Sequence, residues 1–173
     1  MKPAPSVRRV AARDADLARG LRELLCDCVD QGASVGFLSP LDHGIADRYW
    51  DRVLGSVEQG TLLLWVAEDG GNVVGSVQIE PCGKDNGRHR AELQKLLVLS
   101  AHRGRGVARE LMAEAERFAR EAQRTLLVLD TEVGSIAESV YRKLGWTRAG
   151  EIPGYATTPT GKLHPTVYYY KLL

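Results

Sequence analysis

Two arginines and two glycines stand together in residues 102–112, HRGRGVARELM, directly before a helical pattern. Behind Arg103, Gly104, Arg105 and Gly106, the apolar residues Val107, Leu111, Ala115, Phe118 and Ala122 recur at steps of three and four, so the corner opens an amphipathic helix. The first four amides of a helix have no acceptor within it, and the aligned peptide dipoles place about half a positive charge there. Glycines at that point admit an anion to the backbone without a Cβ in the way, and the flanking guanidinium groups add charge at the rim. The chemistry this pattern suits is capture of a phosphate or pyrophosphate; plain turn chemistry is the alternative reading of the same glycines. Two nucleotide motifs are excluded by the residues themselves. A dinucleotide fingerprint needs a third glycine where Arg109 stands, and no segment has the Gly-Lys-Ser/Thr ending of a P-loop.

Other reactive residue types are less purposefully spaced. Cys26 and Cys28 lie two apart on a helical pattern and so face different sides, which rules out a shared metal ion; with Cys82 they make an odd number without framework spacing, and reduced thiols are expected. His43, His89, His102 and His164 have no metal-ligand spacing and read as surface or capping residues, so no metal is expected. The 23 basic and 22 acidic side chains nearly cancel, which removes the electrostatic case for nucleic acid or an anionic membrane as partner. The N-terminal MKPAPSVRRV lacks an apolar stretch behind its charges, and no run reaches the ~18 apolar residues of a membrane span. A cytoplasmic chain is expected.

The elements that must position the corner follow from periodicity. A short strand, SVRRV, precedes a helix from Arg13 to Val29 and, beyond a Gly- and Pro-interrupted loop, a second helix capped by Asp42 and running to about Val57. Three strand-like runs follow, TLLLWVAED, NVVGSVQIEP and RAELQKLLVLS, the first two joined by the hairpin turn DGGN. After the helix from Val107 comes TLLVLDT, whose unbroken apolar run predicts a strand buried on both faces, then a short helix from Ser135 to Leu144 closed by Gly145. EIPGYATTPTGKLHP reads as a loop before a last strand, TVYYYKLL, assigned to core and sheet edge; pairing of Tyr168–Leu173 across a homodimer is left open. Residues 1–173 are expected to form a single α/β domain, with a mixed, mostly antiparallel sheet of about six to seven strands and helices on both faces.

The hexad Arg103-Gly104-Arg105-Gly106-Val107-Ala108 resembles the pyrophosphate loop of the GNAT family of N-acetyltransferases, with LLVLS in the place of their acetyl-binding strand. Downstream, IAESVYRKLGW is similar to the family's helix ending in Ala, three residues, Tyr, then Leu-Gly-aromatic. A finer resemblance, to tabtoxin resistance acetyltransferases, is carried by GASVGFLSPLD, LLLWVAED, LDTEVGSIAE and PGYATTPTGKLHPT. The resemblance implies the GNAT fold and transfer of an acetyl group from acetyl-coenzyme A, by direct attack, to a primary amine, here expected on a small amino-acid-like or antimetabolite molecule; a peptide or protein amine as acceptor and a non-catalytic acyl-coenzyme A binding module are the alternative readings. It implies Tyr141 as the acid that protonates the departing thiolate, and backbone amides near Leu97 and Val98 as donors to the thioester oxygen. Glu92, on the strand leading to the corner, and Asp130, at the end of TLLVLD, are candidate bases or ammonium ligands; an ion pair of Glu92 with Arg90 or Lys95, and a strand-end cap for Asp130, are the bland alternatives. Gly134 stands where the family often has asparagine, and Ser135 beside it either caps the helix or contacts the pantetheine arm.

Overall fold

In the computed structural model, which describes residues 5–173, the strands form one seven-stranded sheet in the order β1-β2-β3-β4-β5-β7-β6. Residues 1–4, part of the N-terminal leader reading, lie outside the described residues. The strands are β1 (Ser6–Arg9), β2 (Leu63–Asp69), β3 (Asn72–Pro81), β4 (Arg90–Val98), β5 (Leu126–Glu132), β6 (Thr147–Thr157) and β7 (Leu163–Leu172). The helices are α1 (Ala15–Asp30), α2 (His43–Glu58), α3 (Val107–Glu121) and α4 (Ile136–Lys143). Asp14 and Asp42 accept the Leu17 and Ile45 amides at 2.8 and 3.1 Å and so start α1 and α2 where an aspartate N-cap should. Every strand pair is antiparallel except β4 with β5. Among the described residues, no helix is long and apolar enough to cross a membrane.

Each face of the sheet carries its own core. Leu64, Val66, Val73 and Leu97 turn to α1 and α2, where Leu21, Leu24, Leu25, Trp50 and Leu54 cover them. Trp65, Val77, Ile79, Leu93, Leu127, Leu129, Val167 and Tyr169 turn to the other face, under Leu111, Met112 and Ala115 of α3 and Tyr141 of α4. Gly75 lets α3 approach closely, because a Cβ there would lie 2.9 Å from Val107 Cγ1 and 3.0 Å from Leu111 Cδ1. The seat of the α3 N-terminus is therefore set by a residue without a side chain on β3.

Three expectations are corrected. The segment read as a loop from Glu151 is mostly strand: β6 continues through Pro153 and Gly154 to Thr157, and β7 begins at Leu163. β6 is the outermost strand, so only one side needs ladder partners, and register shifts at Arg148/Gly150 and Ile152/Ala156 absorb the glycines and proline. Second, β7 lies between β5 and β6 rather than at the sheet edge, with β6 paired to it as far as Tyr170. Third, β5 is not buried on both faces: Leu127 and Leu129 are buried, Leu126 and Val128 are half-buried, and Asp130 is exposed. The α1–α2 core is built on β2, β3 and β4, which leaves the same face of β5 and β7 open as one wall of a cleft.

Candidate active site

The parallel pairing of β4 with β5 covers only Arg90↔Leu126, Ala91↔Leu127 and Glu92↔Val128. Beyond Glu92 the two strands part, and the gap between them runs from the carboxylates to the glycine-arginine corner. At the corner, β4 ends at Val98, a single 3-10 turn spans Ser100–His102, and α3 begins at Val107. Gly104 and Gly106 have φ of +74° and +83°, the left-handed region that costs any other L-residue about 1–2 kcal/mol. No side chain caps α3, so its leading amides are left for an outside acceptor, and no atom lies within 4 Å of where a Cβ on Gly104 would stand. This open, left-handed corner fits the pyrophosphate expected from Arg103 through Ala108.

Residues far away in the chain hold the corner in place. Asp27 of α1 accepts both the amide and the hydroxyl of Ser100 at 2.7 Å. Asp69, at the end of β2, lies 3.3 Å from His102 Nε2 and 3.8 Å from Arg105 Nη1. Arg103 Nε donates to the Val98 carbonyl at 3.4 Å. Both arginines are exposed at the corner and make these contacts there. Asp27 and Asp69 were not singled out in the sequence, and no spacing rule could have found them, since their partners lie 73 and 33 residues away.

At the other end of the gap, Glu80, Glu92 and Asp130 occupy adjacent strands. Glu80 faces Glu92 across β3–β4, and Gln94 Nε2 donates to Glu80 at 2.9 Å. Thr166 Oγ1 donates to Asp130 at 2.7 Å, fixing one carboxylate oxygen. Tyr168 pairs in register with Asp130, and its hydroxyl lies 3.2 Å from that of Tyr155. That hydrogen bond, together with burial and the charge of Asp130, pushes the Tyr168 phenol up to about 12. On α2, Tyr49 and Gln78 of β3 are joined through hydroxyl and amide at 3.0 Å, and burial pushes Tyr49 up to about 12.

Burial, then the charges of Glu80 and Asp130, push the Glu92 carboxyl above the ordinary glutamate range, opposed by Gln94 and Lys95. Such a carboxyl holds its proton more readily folded than unfolded. Stability therefore falls as pH rises from the unfolded value of ~4.3 through the folded one, and stays lowered above it. Glu92→Gln is expected to melt at the same or a higher temperature than the parent at pH 7 and to lack that downward step. Thermal melts over a pH series check this; a lower melting temperature at pH 7 would contradict it.

The amide donors near Leu97 and Val98 separate into two roles. The Leu99 amide bonds to the Val74 carbonyl at 3.0 Å, and amide directions alternate along a strand. The Leu97 amide accordingly turns into the ladder with Ser76, while the Val98 amide turns toward the gap. Leu97 contributes instead as a buried side chain in the α1–α2 core.

Tyr141 lies under the opposite face of the sheet, in the core shared by α3 and α4. It is buried on α4 with its ring 5.9 Å from that of Trp146, and among the described residues its hydroxyl forms no hydrogen bond. Burial and then the charge of Asp130 push the phenol well above the ordinary tyrosine value, so it keeps its proton at neutral pH. Ser135 does cap α4, accepting the Glu138 amide at 3.1 Å. Glu138 in turn accepts the Gly134 amide at 2.6 Å and the Tyr169 hydroxyl at 2.8 Å, and the Gly134 bond foremost holds its carboxyl below the usual range. His164 lies 3.5 Å from Glu132 and 3.4 Å from Ser34, tying β7 to the α1–α2 loop. Among the described residues no three His, Cys, Asp or Glu side chains converge as a metal site.

The family model for acetyltransferases of the GNAT type matches residues 21–146, a span that contains α3, the corner and the parted strands. The chain belongs to the GNAT acetyltransferase family. Of this GNAT protein's relatives, N-acetyltransferase 8 of Rattus norvegicus is 39% identical over 92 residues, 50% of this chain and 40% of that protein. The chain thus spans only a minor part of the length of the curated relatives it matches. Among solved structures, a ribosomal-protein-alanine N-acetyltransferase from Brucella melitensis superposes with a TM-score of 0.78 at 25% identity, covering 96% of this chain and 99% of that one. A phosphinothricin acetyltransferase from Sinorhizobium meliloti, solved with acetyl-coenzyme A, gives a TM-score of 0.78 at 17% identity, over 99% and 89% of the two chains; it shares the fold.

Proposed function

We propose that this GNAT protein is an N-acetyltransferase that moves the acetyl group of acetyl-coenzyme A to a primary amine of a small amino-acid-like molecule, with antimetabolites of the β-lactam toxin kind within its range. The observation that carries the reading is the parting of β4 from β5 beyond Glu92, with acidic side chains where they part and an uncapped helix N-terminus after β4 ends. Acetyl-coenzyme A, when bound, supplies the activated acetyl group. The α3 amides behind Gly104 and Gly106, with Arg103 and Arg105, hold its pyrophosphate, Val107 and Ala108 contribute backbone, and the Val98 amide is placed to donate to the thioester oxygen.

The acceptor must lose a proton before it attacks. An alkylammonium of pKa ~10.4 needs about 4.6 kcal/mol to do so at pH 7, and an α-ammonium of ~8 about 1.4 kcal/mol. Glu92, already pushed toward neutrality, and Asp130 hold the ammonium and take that proton directly or through water. Tyr141 gives its proton to the leaving sulfur. The likeness to phosphinothricin acetyltransferases and the resemblance to tabtoxin resistance acetyltransferases both support a small acceptor. The likeness to the Brucella protein, whose name specifies ribosomal-protein alanine, supports a peptide amine as the competing acceptor. The three cysteines, all free, suit a reducing compartment such as the cytoplasm.

Thiol release from acetyl-coenzyme A, measured with amino acids, a β-lactam amino acid and an alanine-headed peptide, tests the reading. Release above background hydrolysis with the amino acids, lost together with acetyl-coenzyme A binding in the double variant Gly104→Val/Gly106→Val, is the expected result. Binding of acetyl-coenzyme A with no release for any amine would reduce the protein to an acyl-coenzyme A binding module.

A further inference from the structure

β4 carries a bulge. Gln94 opposes Gln78 and Leu97 opposes Ser76, so Lys95 and Leu96 together face the single residue Val77. Lys95 has φ +50°, a conformation seldom adopted by side chains other than glycine, asparagine and aspartate, and the Ser76 hydroxyl donates to its carbonyl at 3.2 Å inside the sheet. The bulge puts two consecutive side chains on one face. Gln94 reaches Glu80 there, while Lys95 Nζ lies 5.7 Å from the centroid of the Tyr49 ring, whose hydroxyl is bonded to Gln78. The same ammonium borders the α1–α2 loop, where a Cβ added to Gly36 would sit 3.9 Å from it.

Lys95 is thus a half-buried cation with an aromatic floor, and among the described residues it has no ion pair or hydrogen-bond partner at Nζ. Asp130 and Glu92 act on it only through space, while burial pulls its pKa down. An ammonium in that setting gains most from an anion that replaces its lost water. The corner that suits pyrophosphate has its own amides and arginines at the far end of the gap. What Lys95 faces is the acceptor end, where two carboxylates and one cation lie across from each other, the complement of a molecule carrying both an ammonium and a monoanion.

We propose that Lys95 binds the carboxylate of the acceptor, so that the protein selects amino acids with a free α-carboxylate over the corresponding amides. The proposal rests on the transferase reading for its acceptor, with Glu92 and Asp130 on the amine and Lys95 on the acid. The bulge serves to lift this side chain out of the alternation that would otherwise send it to the α3 face.

Calorimetric titration of the coenzyme A-loaded protein with L-lysine, L-glutamine and L-2,4-diaminobutyrate, each as free acid and as α-amide, tests it without requiring turnover. The acid of at least one pair is expected to bind about tenfold or more tightly than its amide. Lys95→Met is expected to erase that preference by weakening the acid alone, and Lys95→Arg to retain most of it. Equal binding of acids and amides by the parent, binding of neither, or a preference that survives in Lys95→Met each overturns the proposal; the parent's own preference decides it if Lys95→Met does not fold. Thiol release with amines lacking a carboxylate, alongside equal binding, overturns the carboxylate site and leaves the transferase reading standing. Absence of thiol release with every amine overturns the transferase reading, and the binding preference is still read independently.

Discussion

Tyr141→Phe is expected to lower kcat by about 10²-fold or more while changing KM for acetyl-coenzyme A by less than about threefold. The phenol is enclosed with its proton held firmly by burial and then by Asp130, and phenylalanine keeps the ring against Trp146 while removing only the hydroxyl. That hydroxyl has no hydrogen-bond partner among the described residues, so its loss should cost little stability, and a thermal melt within about 2 °C of the parent is the accompanying expectation. The sign of the pH dependence follows from the direction of the shift. An acid is needed in its protonated form, and a phenol raised above the ordinary tyrosine value loses its proton later, so any alkaline limb owed to Tyr141 lies above pH ~10. Steady-state kinetics with saturating amine check the first expectation; an unchanged kcat would remove Tyr141 from the mechanism.

The largest stability effect is expected at Glu116. Its carboxylate on α3, with side-chain exposure of 10%, accepts two bonds from Lys171 Nζ at 2.9 Å and one from Trp146 Nε1 at 3.3 Å. Lys171 also donates to the Leu144 carbonyl at 2.8 Å, so this cluster joins α3, the end of α4 and β7. Glu116→Ala leaves an enclosed ammonium and an indole N–H without their acceptor and should cost about 3–5 kcal/mol, a fall in Tm on the order of 10 °C for a chain of this size. The paired change Glu116→Leu/Lys171→Met removes both charges and should recover most of that loss. Calorimetric or circular-dichroism melts of the single and paired variants decide it, and a single variant that melts with the parent would show that the cluster contributes nothing. Because Trp146 packs on Tyr141, the single variant should also lose activity beyond what its unfolded fraction explains.

The local pieces of the site were legible because their geometry depends on near neighbours along the chain. The glycine pair before a 3.6-residue periodicity specified a helix N-terminus, Asp42 was readable as an N-cap and Ser135 as a cap or an arm contact, and the bounds of β3 follow from its turn residues. Glu92 could be placed on the strand leading to the corner, and Asp130 late in the strand TLLVLDT, for the same reason. The exposed strand β6 was not legible, since Gly150, Pro153 and Gly154 carry the composition of a loop and an outermost strand tolerates them only through its bulges.

What the sequence alone determined was the set of local pieces: a glycine-arginine corner before a helix, two carboxylates on strands and a tyrosine on a short helix. The tertiary structure decided how these meet. The limited β4–β5 pairing opens the gap, Asp27 and Asp69 arrive from distant elements to hold the corner, and the bulge turns Lys95 to the face that carries Tyr49 of α2. Such meetings depend on sheet order and register, which are fixed by the burial of two separate cores over the whole chain, and no short stretch of residues encodes them.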